Sequence, residues 1–225
     1  MTNNKAEQNS LKQLAFIAPI VRGLLAEPTD NPDIPYEPVI LKSLTSKEAI
    51  DFAAFAKDTQ EPMYPHPLNE NMGIPLFTDV PDINGPAEKI REQLRNAISD
   101  HSKQHGSKPQ IICLRGRGIF YIDPSDGNSD LPLRNKVALV TGAAGAIGYG
   151  ICCGLLEKGC HIAATDLPGK KLDDFTTDLK QIAVDRVMGV PIDVTDEGSI
   201  VRGLESVSLA WGGIDIVVIN AGIPL

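Results

Sequence analysis

The residues with a spacing suited to chemistry are Thr141-Gly-Ala-Ala-Gly-Ala-Ile-Gly148, Asp166, Asp193-Val-Thr-Asp196 and Asn220-Ala-Gly222. The first follows the apolar run Val137–Val140 and precedes a helix-compatible segment. Gly142 permits a tight turn after a strand, and the small residues Ala143 to Ala146 let a backbone come close to a pyrophosphate. Gly148 lets the following helix pack near the strand, and that helix's N-terminus offers N–H groups and partial positive charge to an anion. A dinucleotide is the ligand class this turn implies.

Asp166 ends the second apolar run, 24 residues after Gly142 (166 − 142 = 24). A carboxylate there can accept hydrogen bonds from both adenosine ribose hydroxyls and repel a 2′-phosphate. No Arg or Lys occupies 165 to 168, so NAD is expected over NADP. Asp193 can accept from the adenine amino group, while Thr195 or Asp196 caps the next helix. Asn220-Ala-Gly222 closes the fourth run with small residues that allow close approach. The expected cofactor contacts are therefore Gly142, Ala144, Gly145, Ala146, Ile147 and Gly148 in the turn, then Asp166 with Leu167, Asp193 with Val194, and Asn220 with Ala221 and Gly222.

The elements that position these residues read as βαβαβαβ. Strands are expected at Val137–Val140, Ile162–Thr165, Arg186–Val190 and Ile214–Ile219, and helices at Ile147–Lys158, Lys170–Gln181 and Glu197–Ala210, with Gly159 as a C-cap glycine. This alternation predicts a parallel, doubly wound sheet, with the ligand at the carboxyl ends of the strands. The fold class expected is α/β: a partial Rossmann sheet of four strands after an irregular α+β N-terminal segment. The fourth strand is nearly continuous apolar, as for a strand covered on both faces. With no fifth strand beside it, it would form an exposed apolar edge.

Residues 1–122 form the N-terminal extension, 123–135 have a linker composition, and 136–225 form the nucleotide-binding domain. In the extension, a helix from Leu11 to Glu27 is expected to be disturbed at Pro19. Thr45-Ser-Lys-Glu48 is a capping box before a helix at Ala49–Lys57. A third helix at Ala87–His105 presents Ile90, Leu94, Ala97 and Ile98 on one face and stops at Gly106. Short strands follow at Gln110–Leu114 and Ile119–Ile122. His101 and His105, four apart, read as a solvated helix end rather than a zinc pair.

Lys plus Arg total 21 and Asp plus Glu 29, a formal charge of −8. Such an acidic chain gains nothing electrostatically from nucleic acid or an anionic membrane, so neither partner is expected. The N-terminus shows no signal-peptide pattern, and Leu14 to Val21 is too short to span a bilayer. Cys113, Cys152, Cys153 and Cys160 form no Cys-x-x-Cys pair and read as reduced thiols of a cytoplasmic protein.

In order and spacing, the four clusters resemble the short-chain dehydrogenase/reductase family over about residues 134 to 223. The resemblance implies NAD(P)-linked oxidation or reduction of a small-molecule alcohol or carbonyl, here a sugar-derived or secondary alcohol. It also implies a homo-oligomer, and it gives Asn220 the task of stabilising the central sheet. Two departures stand out. Ala146 occupies a position where the family has glycine, which is tolerable if φ is negative. The family's Ser and Tyr-x-x-x-Lys, which follow Asn-Ala-Gly, are missing: Tyr36, Tyr64, Tyr121 and Tyr149 have no Lys four positions on. No catalytic residue is therefore expected within this chain, which reads as the cofactor-binding half of a longer protein.

Thr45 to about Asp123 resembles the C-terminal portion of a class II aldolase domain. Such domains precede a short-chain dehydrogenase in rhamnulose-1-phosphate aldolase/alcohol dehydrogenase fusions. The helix near Ser46–Lys57, His66-Pro-Leu68, Ile74-Pro-Leu-Phe77 and Gln110-Ile-Ile-Cys-Leu-Arg-Gly-Arg-Gly-Ile-Phe120 carry it. Aligning Arg-Gly-Arg-Gly with that family's Asn-His-Gly puts Arg117 in place of a metal-binding His, and arginine cannot ligate a cation. No metal is expected. Two other function classes are a non-catalytic dinucleotide-binding or interaction module and an aldolase-type lyase remnant.

Overall fold

The computed structural model describes residues 2–54, 63–123 and 131–222, with side chains from residue 8 onward. The chain divides into two compact units, Met1–Asp123 and Pro124–Leu225.

The first unit begins with α1 (Thr2–Leu25), which runs through Pro19 without a break. The expected disturbance does not occur. Leu14, Ile17, Ala18, Val21 and Leu25 are buried along one side, and this packing overrides the lost hydrogen bond of a proline that itself faces solvent. Two short strands pair antiparallel, β1 (Glu27–Pro28) with β2 (Tyr36–Glu37). A four-stranded sheet is ordered β3 (Leu41–Leu44), β6 (Gly118–Ile122), β5 (Ile111–Leu114), β4 (Leu76–Thr78), antiparallel except where β4 meets β5.

Helix α2 (Lys47–Ala54) starts earlier than the sequence implied, because Ser46 rather than Thr45 caps it, its Oγ accepting from the Ala49 N–H at 3.3 Å. Residues 55–57 of the expected helix lie outside the described residues. Helix α3 (Ala87–His105) has the expected bounds, and Gly106, at φ +80°, donates its N–H to the Ser102 carbonyl as the stop. His101 departs from the expected solvated end. It is 8% exposed, with Nε2 2.9 Å from the Ile74 carbonyl oxygen and its ring centroid 4.6 Å from that of His105.

The second unit is a parallel sheet ordered β10 (Ile216–Val218), β7 (Val137–Thr141), β8 (His161–Asp166), β9 (Val187–Pro191). Its helices are α4 (Ala146–Glu157), α5 (Lys170–Ile182) and α6 (Glu197–Trp211). β7 is thus interior, with β8 on one side and β10 on the other. The sequence order reverses there, and an open sheet of this kind has its ligand crevice at such a reversal. Of the expected linker, residues 124–130 lie outside the described residues. Residues 131–135 belong to this unit: the Leu133 N–H donates to the Lys158 carbonyl at 2.9 Å, and its side chain packs on the core.

Helices α4 and α5 pack on a core of Val140, Cys152, Leu156, Ile162, Ala164, Phe175 and Leu179. The expectation that both faces of the fourth strand are covered does not hold. β10 lies at an edge of the described sheet, and Val217 is 59% exposed. The four cysteines are free thiols, and burial pushes Cys113, Cys152 and Cys160 up to about 12. Because the thiolate is the nucleophile, iodoacetamide at pH 8 is expected to label Cys153 first and the other three only after denaturation. Peptide mapping that finds Cys160 alkylated as fast in the folded protein as in urea would contradict this.

Candidate functional site

At the carboxyl end of β7 the chain turns through Gly142, at φ +61°. A Cβ there would sit 2.9 Å from the Ala221 Cα, so only glycine lets the turn pass that segment. The turn is tied on both flanks. The Ala143 N–H donates to the Thr165 carbonyl at 2.9 Å, and the Asn220 Nδ2 donates to the carbonyls of Thr141 and Gly142 at 3.1 and 3.0 Å. The Thr141 Oγ1 accepts from the N–H groups of both Asn220 and Ala221, at 2.9 and 3.0 Å. One hydroxyl therefore fixes the β7 end against the stretch after β10. Asn220 holds strand ends together, as the resemblance implied for it.

Helix α4 begins immediately after this turn, with Gly145 as an N-cap that lacks a side-chain hydrogen bond. Its first amides and its dipole therefore face outward over the strand ends. Ala146 is compatible with the turn: Asn135 is the only non-glycine of positive φ among the described residues, so Ala146 keeps the negative φ it needs.

A cavity of about 720 Å³ opens above the strand ends. Twelve of the thirteen residues expected from sequence line it: Gly142, Gly145, Ala146, Ile147, Gly148, Asp166, Leu167, Asp193, Val194, Asn220, Ala221 and Gly222. Ala144 is not on the wall. Its N–H instead donates to Asp166 Oδ2 at 3.1 Å, while Asp166 Oδ1 accepts from the Leu167 N–H at 2.9 Å. Asp166 thus has a structural task besides facing the cavity: it braces the turn.

Lys171, Ile192 and Thr195 also line the cavity and were missed. The Lys171 Nζ lies 3.9 Å from Asp166 Oδ2. Residues 165–168 end before the first turn of α5, which brings residue 171 back over the strand end. Thr195 had a readable signal as the third residue of an Asp-x-Thr turn.

Asp193 Oδ1 accepts from the Thr195 hydroxyl at 2.7 Å and the Thr195 N–H at 2.9 Å. The hydroxyl, then the backbone amide, hold this carboxyl below its ordinary range. Asp196 is the N-cap of α6, accepting from the Gly198 N–H at 2.9 Å. A depressed carboxylate favours the folded turn above its unfolded pKa, and that contribution fades as pH falls through the folded one. An NMR titration of the Asp193 side chain is expected to give a midpoint below 3.8, and Thr195→Ala to raise it. An unchanged midpoint in the variant would contradict the assignment.

In the first unit, Arg117 lies in the turn between β5 and β6, its N–H donating to the Leu114 carbonyl at 3.0 Å. Among the described residues no three His, Cys, Asp or Glu side chains gather as a metal site, and no helix is long and apolar enough to cross a membrane.

Residues 136–225 match the profile of the family described as short chain dehydrogenase. Cyclohexanol dehydrogenase of Rhodococcus sp. (strain TK6) is 33% identical over 104 residues, 41% of this chain and 38% of that protein. D-threitol dehydrogenase of Mycolicibacterium smegmatis is 38% identical over 96 residues, 42% of this chain and 36% of that protein. Among solved structures, L-sorbose reductase from Gluconobacter frateurii, complexed with NADPH and L-sorbose, is 34% identical, covering 42% of this chain and 36% of that one with a TM-score of 0.39. The chain spans little more than a third of the length of these relatives. The stretch matched by that family profile, 136–225, contains every residue of the cavity wall.

Proposed function

We propose that the second unit is the NAD-binding portion of an oxidoreductase acting on a sugar-derived or other secondary alcohol. The observation that carries this reading is the convergence of the Gly142 turn, Asp166, Asp193 and Asn220 on one cavity. The residues fit the group. The small side chains of the turn and the α4 N-terminus suit the pyrophosphate, Asp166 with Leu167 the adenosine ribose, and Asp193 with Val194 the adenine. When bound, NAD supplies a hydride acceptor. The chain's own residues bind and orient it, and none of them is assigned a catalytic role, because no tyrosine here has a lysine four positions on.

The alcohol substrate is supported by the family match and by relatives named for cyclohexanol and D-threitol. The free thiols support a reducing, cytoplasmic setting. A homo-oligomer remains part of the reading through the family. For the first unit, the reading is a degenerate aldolase-type domain: it rests on the resemblance of His66-Pro-Leu68, Ile74-Pro-Leu-Phe77 and the 110–120 segment, and Arg117, standing where a metal-binding histidine would, makes it degenerate. Calorimetric titration with NAD, NADH and NADP tests the main proposal. NAD is expected to bind, and more tightly than NADP. A folded sample that binds none of the three would overturn it.

A further inference from the structure

Asp166 presents a carboxylate to the cavity, and alone it would exclude a 2′-phosphate by charge. It does not stand alone. We propose that Lys171 sets how strongly this site discriminates against a 2′-phosphorylated dinucleotide, by neutralising Asp166 and by offering its ammonium to the phosphate. This rests on the dinucleotide reading above and concerns the same site.

Three observations carry it. First, Asp166 cannot turn away: its two oxygens are held by the N–H groups of Ala144 and Leu167, and its side chain is only 18% exposed. Second, the Lys171 Nζ is 3.9 Å from Asp166 Oδ2, and the lysine lines the cavity while its side chain stays 69% exposed. An ion pair this open contributes little, so a flexible four-carbon stem can leave it at little cost for a doubly charged phosphate. Third, the adjacent Lys170 lies along α5, its Nζ 2.7 and 2.6 Å from the two oxygens of Asp174 one turn on. Of the two lysines that open α5, only Lys171 contributes to the cavity wall.

The experiment is calorimetric titration of NAD and NADP into the wild-type chain, Lys171→Ala and Lys171→Arg, at two salt concentrations. Lys171→Ala is expected to widen the ratio of the NADP to the NAD dissociation constant about three- to tenfold, the scale of one charge-assisted contact at an exposed site. Lys171→Arg is expected to restore the ratio, and raised salt to weaken NADP more in the wild type than in Lys171→Ala. A ratio unchanged in Lys171→Ala, or NADP binding undetectable in the wild type while NAD binds, overturns the assignment and leaves the NAD site standing. Binding of neither dinucleotide by folded wild-type protein overturns both.

Discussion

Gly148→Val is expected to destabilise the second unit by roughly 3 kcal/mol, the upper end of the range for overpacking. A Cβ at residue 148 would lie 2.5 Å from the Ala143 carbonyl oxygen, 2.6 Å from the Gly142 carbonyl oxygen and 2.7 Å from the Ala143 Cα. All three are backbone atoms of the turn, so no side chain can rotate away. To regain an ordinary separation of 3.4 Å, either α4 or the turn must move by most of an ångström. Either movement deforms the cavity wall, so dinucleotide binding is expected to disappear with the stability. At about 4–8 °C per kcal/mol for a domain of this size, the thermal midpoint of this unit should fall by roughly 15 °C. Gly150→Ala is the internal comparison: in the same helix, a Cβ at 150 meets nothing within 4 Å. Its substitution should be neutral or stabilising by about 0.4–1 kcal/mol through the unfolded chain. Circular dichroism melts of both variants check the pair, and equal effects would defeat the close-packing argument.

Asp166→Ala is expected to lower NAD affinity by about ten- to a hundredfold, the scale of about 1.5–3 kcal/mol for the loss of a hydrogen bond to a charged group. The same substitution strips the acceptor from the N–H groups of Ala144 and Leu167, so the turn loosens even without ligand. Asp166→Asn separates the two tasks. It keeps one carbonyl oxygen for the turn but gives up the second acceptor and the charge, so it should cost less stability than Asp166→Ala while losing the discrimination against NADP. Calorimetry beside a melting curve measures both. NAD affinity within twofold of wild type in Asp166→Ala would remove Asp166 from the binding site.

The cavity was largely readable because its parts end elements, and ends carry local signals. Gly142 follows an apolar run, Asp166 and Asp193 follow others, and Gly159 marks the end of α4 through its positive φ. What stayed hidden depends on neighbours distant in sequence. Ala144 reads as a cavity residue, yet its amide is spent on Asp166 across the turn. Lys171 reads as an ordinary helix residue until α5 is folded back over the end of β8. Pro19 reads as a disturbance because propensity is local, whereas α1 is stabilised by buried side chains along its length. Thr141 opens the glycine-rich motif with no role of its own legible there, and its double acceptor role exists only once Asn220 and Ala221 arrive beside it.

The interior position of β7 also bears on the time course of folding. β8 and β9 are added outward in the order in which the chain is made. β10 must instead return to the other side of β7, where the Val137 N–H meets the Asp215 carboxylate across 78 residues. Closing so long a loop is entropically slow compared with forming a helix. Asn220 and Ala221 come with β10, so the cavity has no second wall until that long-range contact has formed. A fluorescent dinucleotide added during refolding should therefore bind only in the final kinetic phase, after the helical signal has already recovered.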